Sequence, residues 1–377
     1  MESQWDSMAV RHARVRGCLL GGAIGDALGN PVEFLSLGAI RRAYGEQGVT
    51  GLVPDEEGVA GRVTDDTQMT LFTAEGLIRA HARAVGKGIG GGETAAVRRA
   101  YMRWLDTQNH PAPPVRGGDD LIRTGWLREQ PWLYARRAPG NACLTGLAAG
   151  HVPDPLAPLG EPGPVNPGSK GCGTVMRSAP FGLTGRSAKG AFELAARCAQ
   201  ITHGHPTGYY AAGAFAAMIA HLVEGDGLEG SVLRAMDLLR RYPGHEETSA
   251  ALRSAVDLAL EGGRPTAERV ETLGAGWVAE EALAIAVYCA LAGRAGSPAQ
   301  ALLLAVNHSG DSDSTGAVCG NLLGAAHGDV QLPPLWLVST QGRAVIAEVA
   351  DDLWAQFAYA SSAYPDPVFP HERYPHN

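Results

Sequence analysis

Two short stretches of this chain concentrate side chains that carry oxygen. Thr64, Asp65, Asp66 and Thr67 form the first, and Asp311, Ser312, Asp313, Ser314 and Thr315 form the second, just after Ser309-Gly310. Each leads into an apolar run of helical period. One Ser, Thr or Asp is enough to cap a helix start, where its oxygen accepts backbone N–H bonds. Capping therefore accounts for one residue of each stretch and leaves a surplus. Four carboxylates with several hydroxyls and no paired Cys or His form a hard donor set, which suits Mg²⁺, Mn²⁺ or Ca²⁺ rather than Zn²⁺. If the two helix starts converge, cations must offset the repulsion between carboxylates. Two metal ions would match this number of ligands. The pattern is not an EF-hand, because the loop's terminal Glu is missing.

Three further segments carry weaker signals. Gly17-Cys18-Leu19-Leu20-Gly21-Gly22-Ala23-Ile24-Gly25-Asp26-Ala27-Leu28-Gly29 lacks the strand-turn-helix setting of a dinucleotide site, so its glycines read as close helix packing. Asp26 and Glu33 stand out there as charges in apolar surroundings. Ser169-Lys170-Gly171-Cys172-Gly173-Thr174-Val175-Met176-Arg177 is glycine-rich backbone ahead of a helix, a setting that can hold phosphate through N–H groups. Thr202-His203-Gly204-His205-Pro206 places a histidine beside a helix start, where a helix-end role competes with a ligand contact.

The elements that must position these residues are helical. Apolar residues recur at helical spacing over 10–28, 66–85, 187–202, 208–223, 228–241, 246–260, 278–291, 298–306, 314–326 and 342–359. No run of Val, Ile or Thr alternates with period two. The expectation is an all-α fold in one domain spanning 1–377, ending in an extended Pro-rich tail at 364–377. Long loops are expected at 45–63, 110–119 and 150–170, the last with six prolines. Loops of that length are often functional.

Composition narrows the class. The 377 residues are 45% hydrophobic and 19% charged, which is globular rather than disordered. Formal charge is −8, which argues against a nucleic-acid or anionic-membrane surface as the main partner. The most apolar stretch, 209–220, is short and Ala-rich, a core helix rather than a bilayer span. The start of the chain carries Glu2 and Asp6 and has no basic, apolar leader. Cys18, Cys143, Cys172, Cys198, Cys289 and Cys319 show no paired spacing and read as reduced, buried thiols. A cytoplasmic monomer is expected. Glycine, at 50 residues, is in marked excess over the usual share of about 7%.

Taken in order, G-A-x-G-D-A-x-G, T-D-D-T, G-C-G-x-x-M-R, T-H-G-H-P and G-D-S-D-S-T-G resemble the ADP-ribosylglycohydrolase family. No single piece is specific, but the ordered set is, and it covers most of the chain. The resemblance implies a compact all-α domain with a binuclear site for Mg²⁺ or Mn²⁺. The first metal motif matches Thr64, Asp65 and Asp66, and the second matches Asp311, Asp313 and Ser314, with Ser314 where many members have Thr. Glu33 matches a mobile acidic residue that sits near the metals in serine-directed members, and it joins Asp65 and Asp66 as a catalytic candidate. Ser169, Gly171, Gly173 and His203 match positions around phosphates and ribose, and Asp26 joins them as a substrate-binding candidate. Cys172 stands where some members have Asn. Tyr209 and Tyr210 are candidates for stacking on adenine, with core packing the alternative.

The Asp-Ser-Asp-Ser form is similar to members that cleave ADP-ribose from arginine. The implied reaction is hydrolysis of the N-glycosidic bond in an ADP-ribosylated protein, with Asp65 or Asp66 as general base. The competing readings are another linkage (serine, O-acetyl-ADP-ribose or nucleic acid), a non-catalytic ADP-ribose-binding relative, or a two-metal phosphoesterase. Both acidic motifs are intact, which disfavours the non-catalytic reading. The phosphoesterase reading needs cations near the site, for which Lys170 and Arg177 are the candidates.

Overall fold

Helices form wherever apolar residues recur at helical spacing, and pairing of extended segments among the described residues is confined to the isolated bridges Pro54–Ala60 and Gly171–Val278. The computed structural model describes residues 2–55, 57–88, 90–117, 120, 122–293, 297–358 and 373–375. The expected helices appear with shifts of a few residues at most ends, for example Asp65–Lys87, Pro206–Glu224 and Ser312–His327. The first extends further toward the N-terminus than expected, over Glu2–Gly29. Helices not expected from periodicity also form, including Leu37–Tyr44, Glu93–Asn109 and Asn141–Ala148. Glu93–Asn109 carries three Arg and two Thr, and it buries Arg103, Thr107 and Gln108 as well as apolar residues. Its polar residues obscure the stripe that periodicity needs.

Pro206–Glu224 and Ala279–Ala292 lie in the core, buried around nearly their whole circumference. Among the described residues no helix is long and apolar enough to cross a membrane. Tyr209 and Tyr210 belong to this core. Both are fully buried, Tyr209 donating to the Glu161 carbonyl and Tyr210 to the Pro243 carbonyl. Their rings pack edge to face, and Tyr210 also stacks on Phe192; fully buried, neither can stack on a ligand's adenine. The core also holds a charged knot. Glu75 is fully buried and accepts from Arg79 (2.7 Å) and Arg103 (2.8 Å). Of the expected tail only 373–375 lies within the described residues. There Tyr374 is buried and donates to Asp352 (2.6 Å), so that portion docks on the domain.

The most extensive helix pair brings Glu2–Gly29 against Ser312–His327 in antiparallel fashion. Glycines recur every fourth residue along both faces. A Cβ on Gly17 would lie 2.5 Å from the Gly324 carbonyl oxygen, and Gly21 and Gly25 meet Gly320 and Gly316 closer still. Without side chains at the seam, the backbones approach to contact. The seam ends where Gly29 meets Ser312 and Asp313, so it delivers the residues after the first helix to the second acidic stretch.

Candidate active site

Both acidic stretches begin helices, and both cap them. Thr64 is the N-cap of Asp65–Lys87, accepting from Asp66 N, and Asp311 is the N-cap of Ser312–His327, accepting from Ser314 N. The remaining acids are turned toward a shared cavity of about 330 Å³, whose wall includes Glu33, Asp65, Asp66, Asp311, Asp313 and Ser314. One oxygen each of Glu33, Asp311 and Asp313 lies within 4.8 Å of the others. A larger cleft of about 660 Å³ lies beside Arg41, Arg264 and Glu268 and shares none of these residues.

Burial without countercharge dominates the electrostatics. Asp65, Asp66 and Asp311 are pushed well above the carboxylate range, first by desolvation and then by Asp313. Glu33 is pushed up to about 10 by desolvation and by Asp313, Asp311 and Asp65, and shares a hydrogen bond with Asp313. Protons must therefore occupy part of the cluster when no cation does. Asp66 Oδ1 and Asp311 Oδ2 are buried and lack any hydrogen-bond partner among the described residues. Buried oxygens of this kind normally find a donor. An all-oxygen set with two orphaned carboxylate atoms fits hard divalent cations.

Asp26 lies beneath the cavity, not on its wall. It is fully buried, and it accepts from Thr64 N (3.0 Å), Thr67 N (3.1 Å) and Thr67 Oγ1. It clamps the first helix to the start of Asp65–Lys87, and burial next to Asp313 raises it to about 7. The Thr64 hydroxyl is likewise turned to Asp66.

Ser169, Gly171, Gly173 and His203 all line the cavity opposite the acids. The 150–170 loop is tied to this wall through Asn166, whose side chain donates to Thr202 O (2.8 Å) and whose carbonyl accepts from Gly204 N. The Ser169–Gly173 turn is held by Cys172 N donating to Trp277 O and Ala279 N donating to Lys170 O. The Lys170 ammonium is engaged by Glu247 and Glu280, so it is not free to hold a phosphate. Arg177 is fully buried over the Tyr101 ring. Cys172 departs from the buried-thiol expectation. It is only partly buried, and its thiol lines the cavity against Asp311 and Ser314. The other five cysteines are buried, and all six are free thiols.

Residues that sequence reasoning missed frame the mouth. Phe34 has φ +67° and is 66% exposed, and it stacks on Trp277 with ring centroids 5.2 Å apart. Both line the cavity, as does Asn141. An aromatic directly after a candidate acid, and a Trp set among glycines, were the available signals.

An all-helical chain with acids from two helix starts facing a glycine-rich turn and a histidine defines an acid-centred hydrolase. Residues 7–362 match the ADP-ribosylglycohydrolase family, and the chain belongs to it. That family's chemistry is the hydrolysis of ADP-ribose linkages. The chain is 27% identical to the ADP-ribosyl-[dinitrogen reductase] glycohydrolase of Rhodospirillum rubrum, over 86% of this chain and 90% of that one. It is 25% identical to the ADP-ribosylarginine hydrolase Tri1 of Pseudomonas putida (strain GB-1), over 90% of this chain and 78% of that one. A solved ADP-ribosylglycohydrolase-related protein complex shares the fold, with TM-score 0.61 and 23% identity, over 92% of this chain and 98% of that one.

Proposed function

We propose that this protein removes ADP-ribose from arginine side chains of proteins, using divalent cations held by Thr64, Asp65, Asp66, Asp311, Asp313 and Ser314. The observation that carries the reading is the convergence of Glu33, Asp311 and Asp313 oxygens on the cavity that Asp65 and Asp66 also line. Arginine as the linked residue is supported by the Asp311-Ser312-Asp313-Ser314 form and by the name of the Pseudomonas relative.

Bound Mg²⁺ or Mn²⁺ would supply Lewis-acid activation of a water and neutralise the clustered carboxylates. Asp65 or Asp66 accepts a proton from the attacking water as its oxygen bonds to C1 of the ribose. The C1–N bond breaks with its electron pair going to the guanidine nitrogen, and the water's proton ends on that guanidine. Positive charge developing on the sugar is stabilised by the surrounding carboxylates. Glu33, at the cavity mouth, pairs with the substrate's guanidinium. The Ser169–Gly173 turn and His203 hold the phosphate side of the ligand.

The test incubates the protein with ADP-ribosyl-arginine and ADP-ribosyl-serine peptides in Mg²⁺, Mn²⁺ or chelator. Release from arginine that stops on chelation is the expected result. Release from serine alone overturns the linkage, and full activity in chelator overturns the metal dependence.

A further inference from the structure

His203 ends a buried chain of hydrogen bonds that the acid cluster does not use. At the far end is Arg177, whose Nη2 donates to Thr202 Oγ1 at 2.6 Å. A guanidinium only donates, so the hydroxyl must accept there. Thr202 Oγ1 then has one proton to place. It lies 2.7 Å from His203 Nδ1 and 3.4 Å from the Ala199 carbonyl oxygen. The first distance is that of a strong hydrogen bond, and the second falls outside the usual O–H···O range. The proton goes to Nδ1, which therefore accepts. A neutral imidazole that accepts at Nδ1 carries its own proton on Nε2.

The ring is neutral. Burial, and then the charge of Arg177, lower the His203 pKa to about 3. The residue is 2% exposed and lines the cavity. Its Nε2 runs along the Gly171–Gly173 turn, where a Cβ on Gly171 would lie 3.3 Å from it, and it has no protein hydrogen-bond partner among the described residues. The N–H opens on the cavity, where a ligand oxygen can accept from it.

We propose that Arg177 and Thr202 are positioning residues that lock His203 in its Nε2–H tautomer, making it a hydrogen-bond donor to a phosphate oxygen of the ligand. The phosphate as acceptor rests on the functional reading above, whereas the tautomer does not. Arg177, which could have served as a phosphate-binding cation, acts instead one residue removed, through a hydroxyl and a ring.

The test is a long-range ¹H–¹⁵N correlation spectrum of the ¹⁵N-histidine-labelled full-length protein at neutral pH, with His203 assigned by its absence in His203→Gln. The wild type is expected to show a protonated Nε2 and an unprotonated Nδ1. Thr202→Val, which keeps the shape and removes the hydroxyl, is expected to lose that single tautomer, and Thr202→Ser to restore it. In calorimetry with ADP-ribose and Mg²⁺, Thr202→Val is expected to weaken binding about tenfold, and Thr202→Ser to return it to within about twofold of wild type. A proton on Nδ1 in the wild type overturns the proposal, and that measurement needs no variant to fold. Unchanged tautomer and affinity in a folded Thr202→Val overturn it as well. If the wild type shows the Nε2–H form but does not bind ADP-ribose, the functional reading and the phosphate acceptor fail and the relay stands.

Discussion

Gly25 and Gly316 face each other across the seam of the first helix and the Ser312–His327 helix with no room for a side chain on either. The residues next to this contact are Asp26 on one helix and, one turn back on the other, Asp313. The contact therefore sets how near the acids of two distant segments come. Gly25→Ala would drive a Cβ into backbone, which cannot move aside as a side-chain tip can. We expect a loss of about 3 kcal/mol or more in urea unfolding, against a much smaller loss for Gly38→Ala, where the nearest atom is an Arg42 side-chain nitrogen at 3.5 Å. Equal, small losses at both positions would contradict the seam.

The acid cluster makes stability depend on pH and on cations together. Carboxylates such as Asp26, raised from 3.8 to about 7, and Glu33, raised from 4.5 to about 10, bind more protons folded than unfolded over those windows. Stability therefore falls as pH rises through them. Above pH 6.5, where His203 no longer contributes, the cation-free protein is expected to unfold more easily at pH 8.5 than at pH 6.5. Mg²⁺ at 100 times its pH 8.5 Kd adds about 2.7 kcal/mol there, and the same concentration is used at pH 6.5. The resulting rise in Tm is expected to be larger at pH 8.5, because protons no longer compete. A rise independent of pH would place the cations elsewhere.

Asp66→Asn and Asp311→Asn each replace a buried carboxyl group, one oxygen of which has no partner among the described residues, by a neutral amide. The cation-free variants are expected to melt no lower than the wild type. Their Mg²⁺-induced Tm shift is expected to be lost, and kcat to fall by about 100-fold or more. Retained activity in a folded variant with no Mg²⁺ response would remove these acids from the mechanism.

Phe34 is exposed, strained in φ, and stacked on Trp277 at the cavity mouth. Phe34→Ala forfeits about 0.5–1.5 kcal/mol of ring stacking. Because the pair sits at the mouth and not among the acids, the effect is expected mainly in KM, read by steady-state kinetics, with Tm little changed. Trp277 emission is expected to shift when substrate enters the wild type. Identical KM and silent fluorescence would make the pair mere surface.

His203 titrates oppositely to the acids. Its folded pKa of about 3 lies below the ordinary 6.5, so the unfolded chain binds the extra proton between those values. Stability contributed by the neutral ring is complete above 6.5 and is lost as pH falls toward 3. The stability advantage of wild type over His203→Gln is therefore expected to shrink in denaturant titrations from pH 7 to pH 4.5. A constant difference would show that the ring is not held neutral.

Much of this protein was legible in the order of its residues. Helical periodicity carried the fold class, because a buried stripe must repeat with the helix turn. The surplus of oxygen donors at Asp65-Asp66 and Asp311–Thr315 marked the acidic site, because a cap needs only one. Other properties existed only after folding. Asp26 looked like a ligand contact and is a clamp, since whether an acid faces a cavity or a neighbouring helix start depends on packing. Tyr209 and Tyr210 could by sequence have been either adenine stackers or core, and packing made them core. Phe34 and Trp277, more than 240 residues apart, meet only through the fold. The glycine excess was visible from the start, but its purpose was not: spaced every fourth residue on two antiparallel helices, it lets their backbones touch and brings Glu33 within reach of Asp311 and Asp313. Local sequence sets what each segment can donate, and only the close approach of the helices decides which donors share a cavity.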